Sequence, residues 1–235
     1  MANTVFLRLE GPLQAWGERG QWSVRDTAPE PTKSGVIGLV GCALGYKTDD
    51  PLRRLADNTR MAVRCDAPGR IITDYHTVGG GYDTPTLLTA AGKPKVSSGR
   101  PHTEITWRDY LCDASFLVAL QADDDALIER IAYALQHPVW PVYLGRKSCP
   151  PARPVYDGQG QFTTLAEALA HGPWSETIKR PEPPTVRGVI ESRAPAGVRR
   201  RDQLLSRRYR RFGPRYTVDQ PVTIAAFQEG NDVSV

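Results

Sequence analysis

The sequence LCDASFLVAL, at Leu111–Leu120, gives the strongest strand signal in the chain, because apolar side chains fill most of it. Asp123 follows it and can cap a helix, since its carboxylate can accept hydrogen bonds from free N–H groups of the first turn. The apolar residues of that helix share one face: Leu127, Ile128, Ile131 and Leu135. His137-Pro138 is expected to end the helix, and Val139–Leu144 is expected to form the last strand.

The same order of elements appears earlier in the chain. A strand is predicted at Thr4–Leu9, where Gly11-Pro12 stops it, and a helix is predicted with Ser34 as its N-cap. Two further strands are predicted at Met61–Cys65 and Ile71–Val78. The order is strand, helix, strand, strand, helix, strand. The sequence therefore predicts an α+β fold with a ferredoxin-like βαββαβ core, a pattern that RNA-recognition domains share.

Glycines interrupt the first predicted helix. Gly38, Gly41 and Gly45 each weaken a helix by about 1 kcal/mol at an interior position. A helix that keeps them is expected to approach another element closely, and packing against the sheet is the simplest case.

Composition excludes several classes of protein. The chain has 235 residues and is 40% hydrophobic, which is typical of a soluble globular protein. The longest apolar stretch, Val36–Leu44, is too short for a membrane span. The four cysteines form no CxxC pair, which argues against a zinc site and a disulfide scaffold and favours a reducing cytoplasm. We therefore expect a cytoplasmic protein with no membrane partner, no metal and no cofactor.

The positive charge is concentrated in one segment. The net charge of the chain is +4, but Arg187–Arg215 holds ten arginines and two acidic residues, a local net charge of +8. Arginine suits planar, bidentate contact with phosphate. The segment is expected to bind nucleic acid or an acidic protein, the alternative being a solvated charged face. Its candidate docking residues are Arg199, Arg200, Arg201, Arg207, Arg208, Arg210 and Arg211.

Two short segments could bind an RNA backbone. Lys33-Ser34 is expected at a helix N-terminus, where free N–H groups, a hydroxyl and an ammonium can hold an anion. Gly145-Arg146-Lys147 follows a predicted strand, and its glycine would let the RNA backbone approach two cations. The alternatives are an ordinary capped helix and a solvated turn.

The long segment around Gly79–Arg100 reads as a loop or a protruding hairpin rich in Gly, Pro, Ser and Lys. His102 adds to its positive charge. Trp107-Arg108, which follows, offers an indole and a guanidinium plane suited to an unstacked base. His76 could act in acid–base chemistry. The alternatives are a core aromatic for Trp107 and a hydrogen-bonded structural histidine for His76.

Six collinear stretches resemble the CRISPR-associated RAMP superfamily, and within it the CasD-type subunits of the type I-E Cascade complex. The matching stretches are LRLEGPLQAWG (Leu7–Gly17), PTKSG (Pro31–Gly35), AVRCD (Ala62–Asp66), DYHTV (Asp74–Val78), TWRDYLCDASF (Thr106–Phe116) and YLGRKSCP (Tyr143–Pro150). They cover residues 4 to 156, and the Arg-rich segment lies outside them. With this resemblance Gln14 and Trp16 join the predicted RNA-binding residues.

The resemblance implies a non-catalytic subunit that binds and caps the 5′ handle of the CRISPR RNA. It implies contacts with the backbone subunit and the large subunit, and with target DNA through the complex. It also implies a β-hairpin thumb at about 79–107. The predicted division of the chain is a core at 1–160, a linker with a short helix at 161–184, and an Arg-rich C-terminal extension at 185–235.

Two other functions stay open at this point. The first is a metal-independent endoribonuclease that cuts repeat RNA, with His76, Tyr75 and either Lys33 or Lys147 converging on one phosphate. The second makes the basic segment a docking surface for duplex DNA or for protein, with RNA binding confined to the core.

Overall fold

The computed structural model describes residues 2–20, 22–80, 87–192 and 196–225, and its architecture mixes helices with a mostly antiparallel sheet. The strands are β1 (Thr4–Gln14), β2 (Val24–Arg25), β3 (Arg60–Ala67), β4 (Arg70–Gly79), β5 (Val96–Ser97), β6 (Arg100–Pro101), β7 (Thr103–Gln121), β8 (Tyr156–Gly160), β9 (Thr185–Ser192), β10 (Val198–Ser206) and β11 (Arg211–Thr223). The helices are α1 (Lys33–Ala43), α2 (Asp49–Asp57), α3 (Asp125–Gln136) and α4 (Leu165–His171).

Strand β7 organises the main sheet, whose described strands follow the order β10-β11-β9-β3-β7-β1-β8. The C-terminal half of β7 lies between β1 and β3, and both neighbours are antiparallel to it. The N-terminal half pairs with β4 along the same side as β3, and with the short parallel strand β2 on the other side. The sheet thus extends past the core as a hairpin.

Successive side chains of the central strands point to opposite faces of the sheet and so belong to two separate hydrophobic cores. One face packs on α1, α2 and α3 through residues such as Leu7, Val63 and Val118. The other face packs on α4 through Phe6 and Leu117. Side chains of a strand alternate between the two faces of a sheet. Strands β9 and β11 also contribute to these cores, through Val189 and Val222. In the described residues the sheet therefore has helices on both faces.

The prediction of a last strand at Val139–Leu144 is wrong. Those residues form a loop with Pro138 and Pro141, and proline has no N–H for a sheet ladder. The place beside β1 belongs instead to β8. Its sequence, YDGQG, has none of the β-branched residues that are typical of strands, so the sequence pattern did not predict it.

Two predicted helix caps were wrong by one or two residues, and β1 and β7 are longer than predicted, since β7 begins at Thr103 and not at Leu111. Thr32, not Ser34, caps α1 through a bond from the Gly35 N–H at 3.3 Å, and Asp124, not Asp123, caps α3. Strand β1 continues beyond Gly11 to Gln14, since Leu13 and Gln14 still pair with β7 and Pro12 alone among these residues does not.

The Arg-rich segment continues the main sheet. Strand β9 pairs with β3, β11 pairs with β9, and β10 forms the outer edge. The short helix predicted in the linker is confirmed as α4. The predicted three-part division stays a prediction. Residues 81–86 of the predicted thumb, Arg193, and residues 226–235 of the C-terminal extension lie outside the described residues.

Candidate nucleic-acid interface

The hairpin of β4 and Thr103–Cys112 of β7 presents an exposed aromatic pair. Tyr75 and Trp107 are register partners, so their side chains lie on the same face of the hairpin. Tyr75 is 60% exposed and Trp107 43% exposed, and their rings meet edge to face with centroids 6.1 Å apart. An exposed aromatic pair of this kind offers a flat surface to an unstacked base. The alternative of a core aromatic for Trp107 does not apply.

The opposite face of the hairpin is polar and carries Arg108 and His76. Arg108 Nε donates to Thr106 Oγ1 at 3.1 Å, which orients the guanidinium and leaves its other N–H groups for a ligand. The imidazole Nδ1 of His76 lies 3.4 Å from Asp74 Oδ2, and the side chain is about half exposed. A histidine and an arginine on one polar face can contact phosphates or base edges.

His102 lies further towards the tip, where a carboxylate already binds it. Its Nε2 is 3.1 Å from Glu104 Oε2, and Lys95 Nζ donates to the same oxygen at 2.8 Å. The hydrogen bonds from Lys95 and His102 lower the pKa of Glu104. The carboxylate therefore offsets part of the positive charge that the sequence places here.

Gly145 has an internal packing role that sequence reasoning did not foresee. Its φ is +90°, and a Cβ added to it would lie 1.7 Å from the carbonyl oxygen of Ala15. Because glycine has no side chain, the backbone of Ala15 can pack directly against this position. The contact of this glycine with RNA stays a prediction, and the contact that the structure shows joins the loop to the end of β1.

Arg146 is held by the protein on three sides. Its Nη1 donates to the Asp109 carbonyl at 2.9 Å, and its Nη2 donates to the Arg25 carbonyl at 2.8 Å and to the Asp26 carbonyl at 3.1 Å. The guanidinium also lies 4.6 Å from the ring centroid of Tyr110. Arg146 therefore ties the loop to the base of the hairpin. Its neighbour Lys147 is exposed and makes no hydrogen bond or ion pair with the described residues.

Three of the predicted RNA-binding residues are buried. Gln14 and Trp16 are 0% and 1% exposed, and Trp16 Nε1 donates to Gln14 Oε1 at 3.0 Å inside the core. Lys33 is 2% exposed, its Nζ donates to the Thr59 carbonyl and to Glu191, and burial lowers its pKa. Their contact with RNA is untested, and their burial favours a role in supporting the fold. Ser34 lies in the first turn of α1 and is half-buried.

The anion that the sequence predicts at the N-terminus of α1 comes from the protein itself. Asp202 Oδ2, on β10, accepts from the backbone N–H of Lys33 at 2.8 Å. Arg215 of β11 binds the same carboxylate through Nε at 2.9 Å and Nη2 at 2.7 Å. Because residue 33 and residue 202 are far apart in the chain, no local pattern could reveal this contact.

The buried Asp202 carboxylate makes stability depend on pH. Burial alone would raise its pKa, but hydrogen bonds and charge from Arg215 outweigh burial, so the pKa lies below the ordinary 3.8. A carboxyl whose folded pKa is lowered stabilises the fold above its unfolded pKa, and that stabilisation is lost as pH falls through the folded pKa. We expect the free energy of unfolding to decrease as the pH is lowered below about 4. The variant Asp202→Asn should show a weaker dependence on pH.

Urea unfolding at a series of pH values from 3 to 7 measures this dependence for both proteins. Parallel pH curves for the wild type and the variant would show that Asp202 does not contribute to it.

The seven candidate docking arginines divide into anchored and free side chains. Arg200 pairs with Glu30 and lies 3.6 Å from Glu18, and Arg207 donates to the Lys47 carbonyl at 2.6 Å. Arg210 makes one long bond, 3.5 Å, to the Gly20 carbonyl. The guanidinium of Arg208 lies 5.5 Å from the ring centroid of Tyr209. The remaining three are exposed and have no hydrogen bond or ion pair to the described residues: Arg199, Arg201 and Arg211.

The described residues do not assemble the proposed nuclease site. Tyr75 and His76 are consecutive in β4, so their side chains point to opposite faces of the hairpin. The ammonium of Lys33 is bound to Glu191, and the Lys33 side chain is only 2% exposed. No three histidine, cysteine or acidic side chains of the described residues form a group that could hold a metal ion. None of the helices in the described ranges is long and apolar enough to cross a membrane.

The comparisons with known proteins all find CRISPR-associated proteins. The sequence profile described as "CRISPR-associated protein (Cas_Cas5)" matches residues 4–218 and so extends into β11. The CRISPR system Cascade subunit CasD of Escherichia coli (strain K12) is 38% identical over 182 residues, covering 72% of this chain and 76% of that protein.

Two solved structures are similar along nearly the whole chain. A chain of a "CRISPR RNA-guided surveillance complex" has a TM-score of 0.75 and 32% identity, with 94% of this chain and 90% of that chain covered. A "Crystal structure of Cas protein" has a TM-score of 0.69 and 33% identity, with 94% and 95% covered. The chain belongs to the CRISPR-associated Cas5 family.

Proposed function

We propose that this chain is a non-catalytic subunit of a type I-E CRISPR RNA-guided surveillance complex, in which it binds and caps the 5′ handle of the CRISPR RNA. The similarity to CasD and to a surveillance-complex chain supports this assignment. The observation that carries it is the exposed Tyr75–Trp107 pair, backed by Arg108 on the other face of the same hairpin. In this role the chain works in the cytoplasm, beside the backbone and large subunits, and meets target DNA through the complex.

The ferredoxin-like core belongs to the same proposal. Strands β1, β3, β7 and β8 follow the order β8-β1-β7-β3 and are antiparallel throughout. Helix α1 lies between β1 and β3 in the chain, and α3 lies between β7 and β8. This connectivity supports a ferredoxin-like βαββαβ core, with β8 as its last strand. The hairpin of β4 and β7 then projects from this core as the thumb.

The mechanism we propose is retention of a single strand without chemistry. Unpaired bases stack on Trp107 and Tyr75, while Arg108, His76 and Lys147 contact phosphates or base edges. Arg146 fixes the base of the hairpin relative to the loop, so the aromatic pair is held in place before RNA arrives. A preorganised surface loses less entropy on binding, which favours affinity.

Replacement of Trp107 by alanine is expected to weaken handle binding by about 1–3 kcal/mol, the usual contribution of one base–aromatic stack. Fluorescence anisotropy of a labelled handle RNA with the full-length chain measures this change. Tyr133→Ala is a matched control, because Tyr133 is an exposed aromatic residue on α3, away from the hairpin. Equal affinities of the wild type and Trp107→Ala, with both proteins folded, would contradict the stacking role.

A further inference from the structure

A continuous groove runs between the loop that follows β1 and the hairpin of β10 and β11. Two adjoining hollows, of about 690 Å³ and 360 Å³, share Glu18, Gly20, Arg210 and Phe212. One end of the groove reaches Gly145 and Arg146, and the other reaches the start of β10. We call it the arginine groove, after the arginines that line its larger hollow: Arg19, Arg199, Arg200, Arg201 and Arg210.

The arginine groove has more positive charge than the protein neutralises. Arg200 is paired with Glu18 and Glu30. Arg19, Arg199 and Arg201 are exposed, and their guanidinium groups make no hydrogen bond or ion pair with the described residues. Unpaired guanidinium groups along one groove favour a polyanionic ligand, because each can bind a phosphate through two N–H groups.

An exposed indole beside the arginines indicates which kind of polyanion fits the groove. Trp22 lines the same groove and is 70% exposed. A duplex keeps its bases stacked inside and offers mainly phosphates, whereas a single strand offers unstacked bases to an aromatic side chain beside arginines. The combination of Trp22 with free arginines therefore favours single-stranded nucleic acid over duplex DNA.

The groove is continuous with the hairpin that presents the aromatic pair. The short strand β2 begins two residues after Trp22, and its Val24 and Arg25 pair with Trp107 and Arg108 of β7. Arg146 binds the carbonyls of Arg25 and Asp26, so the segment between groove and hairpin is fixed. A single strand bound at Trp107 can thus continue into the groove.

We propose that the arginine groove binds the phosphates of single-stranded RNA adjoining the segment held at the hairpin, with Trp22 stacked on one of its bases. The inference rests on the proposed function and adds a second contact region, formed by the C-terminal strands. It assigns Arg199 and Arg201 to RNA phosphates, and it predicts that the basic segment acts in RNA binding as well as in the fold.

The test compares two double variants that remove equal charge. In Arg199→Gln with Arg201→Gln, two exposed arginines of the groove are lost. In Arg54→Gln with Arg130→Gln, two exposed arginines on the helices α2 and α3 are lost, and neither of them lines the groove. The probe is a labelled single-stranded handle RNA, and its affinity for each full-length protein is measured over a series of salt concentrations. Far-UV circular dichroism and urea unfolding check that each variant is folded.

We expect the groove variant to bind more weakly and with a shallower salt dependence. The slope of log K against log salt should fall by about 0.7 for each lost phosphate contact with a single strand. The helix variant should keep the slope of the wild type. Trp22→Ala should weaken binding and leave the slope unchanged, because stacking releases no counterions.

Other outcomes overturn the inference in distinguishable ways. If the groove variant keeps the wild-type affinity and slope while Trp107→Ala weakens binding, the groove proposal falls and the proposed function stands. If the groove variant loses affinity for a DNA duplex of the same length but keeps its RNA affinity, the groove is a duplex site. If the wild-type chain does not bind handle RNA at all, both proposals fall.

Discussion

Gly145→Ala is expected to destabilise the fold by about 3 kcal/mol. The backbone at Gly145 has a φ of +90°, which is unfavourable for any residue with a side chain. The new Cβ would also lie 1.7 Å from the Ala15 carbonyl oxygen, a backbone atom that no rotamer change can move. Ala15 is fixed in turn, because its N–H donates to the Leu144 carbonyl at 3.0 Å. The strain and the clash therefore have to be relieved by moving the loop away from β1.

Gly38→Ala provides the matched control. Gly38 lies inside α1, and an added Cβ would meet nothing within 4 Å. The same substitution should stabilise the protein by about 0.5–1 kcal/mol there, because alanine loses less backbone entropy in a helix. Urea unfolding of both variants measures the contrast. A Gly145→Ala protein as stable as the wild type would show that the loop contact is not required by the fold.

Asp202→Ala is expected to destabilise the fold by about 3–5 kcal/mol, the usual cost of removing one partner from a buried ion pair. Asp202 is 2% exposed and binds both Arg215 and the N-terminus of α1. Its removal leaves Arg215 without its closest partner in a buried position, with only Glu191 at 3.8 Å. It also frees the Lys33 N–H, which then has no acceptor in the interior.

Asp219→Ala is the control for this second change. Asp219 lies on β11 and pairs with Arg187, but both side chains are about 40% exposed, at 43% and 40%. Exposed pairs contribute about 0–1 kcal/mol, so this variant should stay close to the wild type in urea unfolding. If Asp202→Ala and Asp219→Ala proved equally stable, the buried contact would not join the C-terminal strands to the core. The same contact implies that deleting residues 187–215 would disrupt the fold, so point substitutions are the better probe of the basic segment.

Much of the core was predictable because it follows local periodicity. Strands β1, β3, β4 and β7 and helices α1 and α3 overlap the segments that apolar spacing predicted, although both helix caps were misplaced and β1 and β7 are longer than predicted. The C-terminal strands were not predicted, because arginines dominate β10 and its apolar alternation is sparse. Strand β8 was missed because its stability comes from pairing with β1 and not from its own residues.

The sequence predicted which residue types could bind RNA, but it did not predict which of those residues would be exposed. Trp107 and Tyr75 lie outside the core, whereas Trp16, which looks equally suited to stacking, lies inside it. Gln14 and Lys33 are polar, yet each has its hydrogen bonds satisfied within the protein. No local pattern in the sequence marks Trp22 or Arg19 as binding residues. Their proximity to the hairpin of β10 and β11 results from a contact between residues far apart in the chain.

Binding of intact handle RNA tests the central proposal most directly. The full-length chain is incubated with end-labelled CRISPR repeat RNA in EDTA, and the sample is divided between a native and a denaturing gel. The account predicts a shifted band on the native gel and full-length RNA on the denaturing gel. A discrete cut that disappears in His76→Ala would contradict it and identify the chain as a metal-independent endoribonuclease. Absence of any shift would contradict RNA binding by this chain.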